Sequence, residues 1–197
     1  MDEVLARIAE WLREGRAVTI ARVVGLRGIS GQYGTPLTAL AAGEPIAGRL
    51  LSGAADDMLA AVGTAELRTV TISDDAAAAS KMACGGTAQV LLQPADDLPD
   101  ETWDLLAQHE PLCLVTELDR TAVGATQVHT RATVAAAEQQ HPGVARLFNR
   151  GSSEGVILDE GRAAVTAVWP VPTLVVVGDG LIADALAATA ALLGWNS

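Results

Sequence analysis

Aromatic side chains are scarce: only 3% of the 197 residues are Phe, Trp or Tyr. The interior must therefore be aliphatic, with alanine filling much of it. Lysine is nearly missing as well. Lys81 is the one lysine among 13 basic residues, and the rest are arginines. There are two cysteines, Cys84 and Cys113, too few for a disulfide framework, so a reducing compartment is the default expectation. A basic field is also lacking. The formal net charge is −11, which speaks against non-specific nucleic-acid binding and against adhesion to an anionic membrane. No run of about 18 uncharged apolar residues occurs, so no transmembrane helix is expected. The opening Met1-Asp2-Glu3 is acidic and lacks a signal-peptide pattern, and a cytoplasmic protein is expected. What remains is a chain that is 50% apolar, enough for one sizeable core or two small ones.

The periodicity predicts an α/β protein: an α+β domain with a mixed sheet over residues 1–168, a proline linker over 169–172, and the first βα unit of a Rossmann-like domain over 173–197. Val4, Leu5, Ile8, Trp11 and Leu12 share one face of a helix over 2–14. Ala17 to Val24 reads as a strand, and Gly25 to Gly34 as a glycine-rich loop with Arg27 and Tyr33. A hairpin is expected from 37–40 and 46–51, then a helix from Ser52-Gly53 to about Val62 with Asp56 and Asp57 in its first turn. Further strands are expected at 67–72, 89–93, 112–117 and, less regularly, 122–133, with a hairpin at 156–158 and 163–168. Helices are expected from Asp100 to about His109 and from Pro142 to Phe148.

Trp169-Pro170-Val171-Pro172 holds the chain extended. The apolar run Thr173–Val177 comes next, then Gly178-Asp179-Gly180-Leu181-Ile182-Ala183 and a helix from Asp184 to Leu193. Strand, G-x-G-x-x-A and helix make the context of the dinucleotide fingerprint. Gly178 would permit the turn, Gly180 a phosphate's approach, and Ala183 the packing of helix on strand. An NAD(P)- or nucleotide-binding oxidoreductase domain is thus one functional class. Against it, Asp179 places a carboxylate between the glycines; the position about 20 residues on, where an acidic residue would hold a ribose, falls past Ser197.

Lys81-Met82-Ala83-Cys84-Gly85-Gly86 leads into the strand to Gln93. A thiol beside two glycines can serve as ligand or nucleophile, or it can be a filler before a turn. Cys113 lies in an apolar strand and is expected in the core. His109, His129 and His141 lack the spacing of a metal site. Asp56 and Asp57 would point about 100° apart on a helix, which does not make a shared acid/base pair.

Three segments together resemble the XdhC/CoxI family, accessory proteins for the maturation of xanthine dehydrogenase and carbon monoxide dehydrogenase. They are Gly25 to Asp57, ending Ala47-Gly48-Arg49-Leu50-Leu51-Ser52-Gly53-Ala54-Ala55-Asp56-Asp57; Ala83-Cys84-Gly85-Gly86 with its strand; and Pro170-Val171-Pro172 leading to Gly178-Asp179-Gly180. The resemblance implies a non-enzymatic chaperone that binds the molybdenum cofactor (molybdopterin), guards it during sulfuration and passes it to a molybdenum hydroxylase. A cysteine desulfurase and the client enzyme would be partners, and a homodimer is implied. Cys84, Gly85 and Gly86 would lie at the cofactor, and Gly178, Gly180 and Ala183 would belong to the Rossmann unit. The chain departs from the family where Gly31-Gln32 stands for Pro-Arg, Ala55 for a second cysteine, Asp57 for a glutamate and Gly180-Leu181 for Gly-His. A degenerate scaffold that binds only proteins is the third class.

Overall fold

The computed structural model describes residues 1–29, 35–120 and 122–196. Gly31-Gln32 and Tyr33 lie outside the described residues. Among the described residues, eight strands form two four-stranded sheets. The first has the order β2-β1-β4-β3, from β1 (Val18–Arg27), β2 (Thr38–Ala41), β3 (Glu66–Ile72) and β4 (Gly86–Pro94). The second has the order β6-β5-β8-β7, from β5 (Leu112–Asp119), β6 (Ala122–Thr130), β7 (Glu154–Leu158) and β8 (Ala163–Val168). Helices and strands occur in one chain, as an α/β protein requires. Within each sheet the pairing is antiparallel throughout rather than mixed. Among the described residues no helix links two neighbouring strands of either sheet in parallel, the arrangement a parallel pair needs.

The sheets stack face to face, and strand alternation decides what meets between them. Ile20, Arg22 and Val24 of β1 and Leu91 and Gln93 of β4 point toward the second sheet. Leu112, Leu114, Thr116 and Leu118 of β5 answer them, with Thr166 and Val168 of β8. One end of this layer is closed by α1 (Asp2–Arg13), which buries Val4, Ile8 and Trp11, and by Leu106 of α3 (Glu101–Ala107). The outer face of the first sheet is covered by Leu50, Leu51, Ala55 and Leu59 and by Ala77 of α2 (Asp74–Ala79). The outer face of the second is covered by α4 (Val134–Gln140) and α5 (Val144–Phe148), where Val144, Leu147 and Phe148 meet Cys113, Val115 and Val165.

Three expectations need correction. The helix over 53–62 does not form: two short 3₁₀ turns, Leu51–Gly53 and Asp56–Met58, take its place. Leu51, Ser52 and Gly53 are left-handed at φ 50°, 54° and 92°, which a right-handed helix cannot continue through. Among the described residues, the second arm of the hairpin over 46–51 forms no strand and pairs with the first arm through an isolated bridge, Ala39 to Ala47. Thr173–Val177 is not a strand in a sheet. Its one bridge joins Thr173 to Asn196, and among the described residues no further strand pairs with it. The helix after it does form, as α6 (Leu181–Leu192). Among the described residues no helix is long and apolar enough to cross a membrane.

Candidate functional site

Near the C-terminal end of β1 the two sheets part around a cleft of ≈ 920 Å³. One wall is β1 itself, from Val23 to Arg27, continuing to Ile29; Thr87 and Gln89 of β4 extend it. The opposite wall is Ser153 with Glu154–Ile157 of β7, and Thr166 of β8 contributes from the layer between the sheets. Thr35, Pro36 and Leu51 close a third side. β1 carries a register shift between Val23 and Gly25 on this wall. Such a bulge turns side chains away from strict alternation. Beyond it, Gly25 leaves room for Gln89: a Cβ there would lie 2.5 Å from Gln89 Oε1.

The walls meet because β7 crosses β1 at Gly155. A Cβ on Gly155 would stand 1.8 Å from the Val23 carbonyl oxygen, so no other residue fits without moving a strand. Glu154, on the same strand, accepts from Arg150 Nη1 at 2.6 Å. Arg27 is exposed on the opposite wall, and among the described residues no carboxylate pairs with it.

The Cys84-Gly85-Gly86 turn is laid over the end of β1. Cys84 is half-buried, and its thiol donates to the Gly28 carbonyl at 2.9 Å. The Gly85 N–H donates to Asp74 Oδ1 at 2.9 Å. A Cβ on Gly85 would lie 2.4 Å from the Ile72 oxygen, and one on Gly86 would lie 2.3 Å from the Arg27 oxygen. The space these glycines leave is taken up by the chain's own backbone. They let β4 start flush against β1 and β3, and this seats Cys84 beside Gly28, between the cleft-lining Arg27 and Ile29.

Gly178, Gly180 and Ala183 lie elsewhere, and none of them lines the cleft. Gly178 and Gly180 have φ of 131° and 95°, and Gly180 directly precedes α6. A side chain on either would meet nothing within 4 Å. The turn of the fingerprint is therefore built, while the sheet edge that should flank it is not.

Asp56 and Asp57 do not act as a pair. Asp57 is exposed, whereas Asp56 is half-buried with Oδ1 unpartnered. Burial raises the Asp56 carboxyl above its ordinary value, against the pull of Arg49. Cys113 is fully buried, and burial pushes its thiol up to about 12, so it is core. His141 bridges Glu117 Oε1 at 2.9 Å and Asp159 Oδ2 at 3.3 Å, tying β5 to the turn after β7. Among the described residues no group of three metal-ligating side chains occurs.

The feature that motif reading missed is Arg22. It is completely buried between the sheets, and among the described residues its guanidinium meets only neutral oxygens. Nη1 donates to Thr166 Oγ1 at 3.4 Å, and Nη2 to Thr116 Oγ1 at 2.9 Å and to Gln93 Oε1. Gln93 Nε2 donates in turn to Thr126 Oγ1 at 2.9 Å, and Thr116 and Thr126 share a hydrogen bond of 2.8 Å. Among the described residues Arg22 Nε has no partner. Burial lowers the Arg22 pKa to about 10, which still leaves it charged at neutral pH. The signal was present in the sequence. Arg22 falls on the same strand face as Ile20 and Val24, at a period of two.

No protein-family model matches the sequence, and no curated protein does. Among solved structures, five chains match. One is a crystal structure described as a xanthine dehydrogenase from Bacillus halodurans, with a TM-score of 0.48 and 15% sequence identity. The match covers 98% of this chain and 60% of that one, so the chain spans about three-fifths of that protein's length.

Proposed function

We propose that the chain is a non-enzymatic accessory protein that holds the molybdenum cofactor for a molybdenum hydroxylase, with the inter-sheet cleft as its binding site. One observation carries this reading. Two of the three segments behind the XdhC/CoxI resemblance, Gly25–Asp57 and Ala83–Gln93, lie far apart in sequence and meet at the same cleft, through Gly25–Ile29, Leu51, Thr87 and Gln89. The cleft volume of ≈ 920 Å³ falls within the range of small-molecule sites, about 300–1,000 Å³.

The residues present suit such a group. Arg27 offers a fork of donors for a phosphate. The threonines and Gln89 offer hydrogen bonds to a pterin edge. Cys84 places a soft sulfur at the rim, suited to a metal or its terminal sulfur. Gly85 and Gly86 serve by building the turn that holds Cys84. When bound, the cofactor would supply redox chemistry to the client enzyme. This chain would orient it and keep water from it. A cysteine desulfurase and the client would then be partners, and the chain would work in the cytoplasm as a homodimer. Residues 173–197 would begin a second, Rossmann-like unit.

The test is to purify the full chain from a molybdopterin-producing host and to measure bound molybdenum and pterin fluorescence. Stoichiometric pterin is expected, with Cys84→Ser retaining it at least about tenfold less tightly. Retention unchanged by Cys84→Ser removes that residue from the role. A chain that never carries pterin is instead a scaffold for proteins.

A further inference from the structure

A guanidinium sealed between two sheets without a carboxylate is a costly arrangement. An ion taken out of water is heavily penalised unless another charge compensates it. Neutral threonine and glutamine oxygens satisfy only part of the Arg22 fork, and Nε stays unpartnered. The compensating charge can come from the cleft side. Thr166 belongs to both environments: it accepts from Arg22 Nη1 at 3.4 Å, and, although only 1% exposed, it borders the cleft. A hydroxyl that accepts from a cation has its own proton left to donate, and the cation polarises it. Among the described residues that proton has no acceptor. Arg27 stands on the β1 wall of the same cleft. Among the described residues Glu154 is the one carboxylate on the lining, and it is paired with Arg150. Arg27 on the lining and Arg22 behind it therefore set two guanidinium groups toward the cleft, on a chain whose net charge is −11.

We infer that the cleft is an oxyanion site, which takes the phosphoryl group of a small molecule between the Arg27 guanidinium and the Thr166 hydroxyl, with Arg22 as the buried charge behind it. This deepens the reading above by naming the end of the ligand that is recognised, and it has its own support in the Arg22 network. Arg27 and Thr166 would be binding residues. Arg22 would act through Thr166 as a positioning residue.

The experiment titrates inorganic pyrophosphate and inorganic phosphate into the full chain by calorimetry at low ionic strength. Saturable binding is expected, weakened about tenfold by Arg27→Gln and several-fold by Thr166→Val, with Thr166→Ser close to wild type. Arg7→Gln, which removes the same charge from an exposed site on α1, should leave the affinity unchanged. Arg22→Met should weaken binding although it touches no ligand. If Thr166→Val or Arg22→Met does not fold, Arg27→Gln against Arg7→Gln decides. No saturable binding, or an equal loss in both arginine variants, overturns the site. Free phosphate binding as tightly as any phosphate ester marks the free oxyanion as the ligand. Tighter binding of a pterin phosphate that responds to the same variants marks the cofactor. Pyrophosphate binding by a chain that never retains pterin sinks the cofactor reading and leaves the oxyanion site standing. Pterin retained with Arg27→Gln and Thr166→Val without effect does the reverse.

Discussion

At the scale of single residues, the charge at Arg22 dominates. Removing its acceptors should hurt more than removing the charge itself. Thr116→Val or Gln93→Leu leaves a buried donor unmet and should lower stability by about 1–3 kcal/mol in urea unfolding. Arg22→Met removes the charge along with its desolvation penalty but leaves Gln93 Oε1 without its donor, so the two effects offset and its loss of stability should be smaller than that of either acceptor variant. Asp56 gives a pH signature of definite sign. Its folded pKa is raised above its ordinary 3.8, so the folded state binds the proton more tightly. Its contribution is favourable while the carboxyl is protonated. That contribution is lost as pH rises from the ordinary value through the folded one. Asp56→Asn should therefore raise Tm at pH 7, and the gain should vanish below about pH 4; a gain that grows on acidification would contradict the burial of this carboxyl. Cys113, with its thiol pushed up to about 12, should stay unmodified by a thiol reagent at pH 8 in a Cys84→Ser background until the chain is denatured.

At the scale of elements, the contact between β1 and β7 decides whether there is a cleft at all. Gly155→Ala forces a methyl against the Val23 carbonyl and should cost about 3 kcal/mol by chemical denaturation, with the sheets pushed apart. Local pattern reveals elements but not such crossings. β1, β3, β5 and the hairpin of β7 and β8 were readable because alternation and β-branched residues recur along them. The helix expected over 53–62 failed because Leu50, Leu51, Ala55 and Leu59 are drawn onto the sheet in an arrangement that needs left-handed backbone at Leu51 and Ser52. Helix α4 escaped notice because Val134-Ala-Ala-Ala carries little periodicity, and its burial comes from α5 and the second sheet. Cys84 was legible as a distinctive turn. The cleft beside it was not, since it is made by β7, more than sixty residues away in sequence. Arg22 could have been suspected from its place between Ile20 and Val24, but its hydrogen-bond acceptors come from other strands, β4, β5 and β8, and the network extends to β6.

At the scale of the molecule, residues 1–168 bury nearly all of the core, and the tail beyond Pro172 takes little part in it. Val177 is 96% exposed, Leu181 87% and Leu192 89%. Apolar surface of this kind should bind the dye ANS in the native protein, and Val177→Asp with Ile182→Glu should lower that signal without moving Tm. The two regions join at Trp169. Its backbone N–H donates to Ser153 Oγ at 2.9 Å, its indole N–H donates to the Phe148 carbonyl at 2.9 Å, and its ring lies 5.2 Å from that of Phe148. The Arg131 guanidinium sits over the indole at 5.6 Å. Mechanically, Trp169 is a cleat. A load applied to the tail would first peel Thr173 from Asn196. It would then reach a side chain pinned to α5 and to the loop before β7, where several contacts must break at once. A pull from the C-terminus should release the tail at low force and then stall at Trp169. A partner could haul on residues 173–196 without drawing the strands out of register.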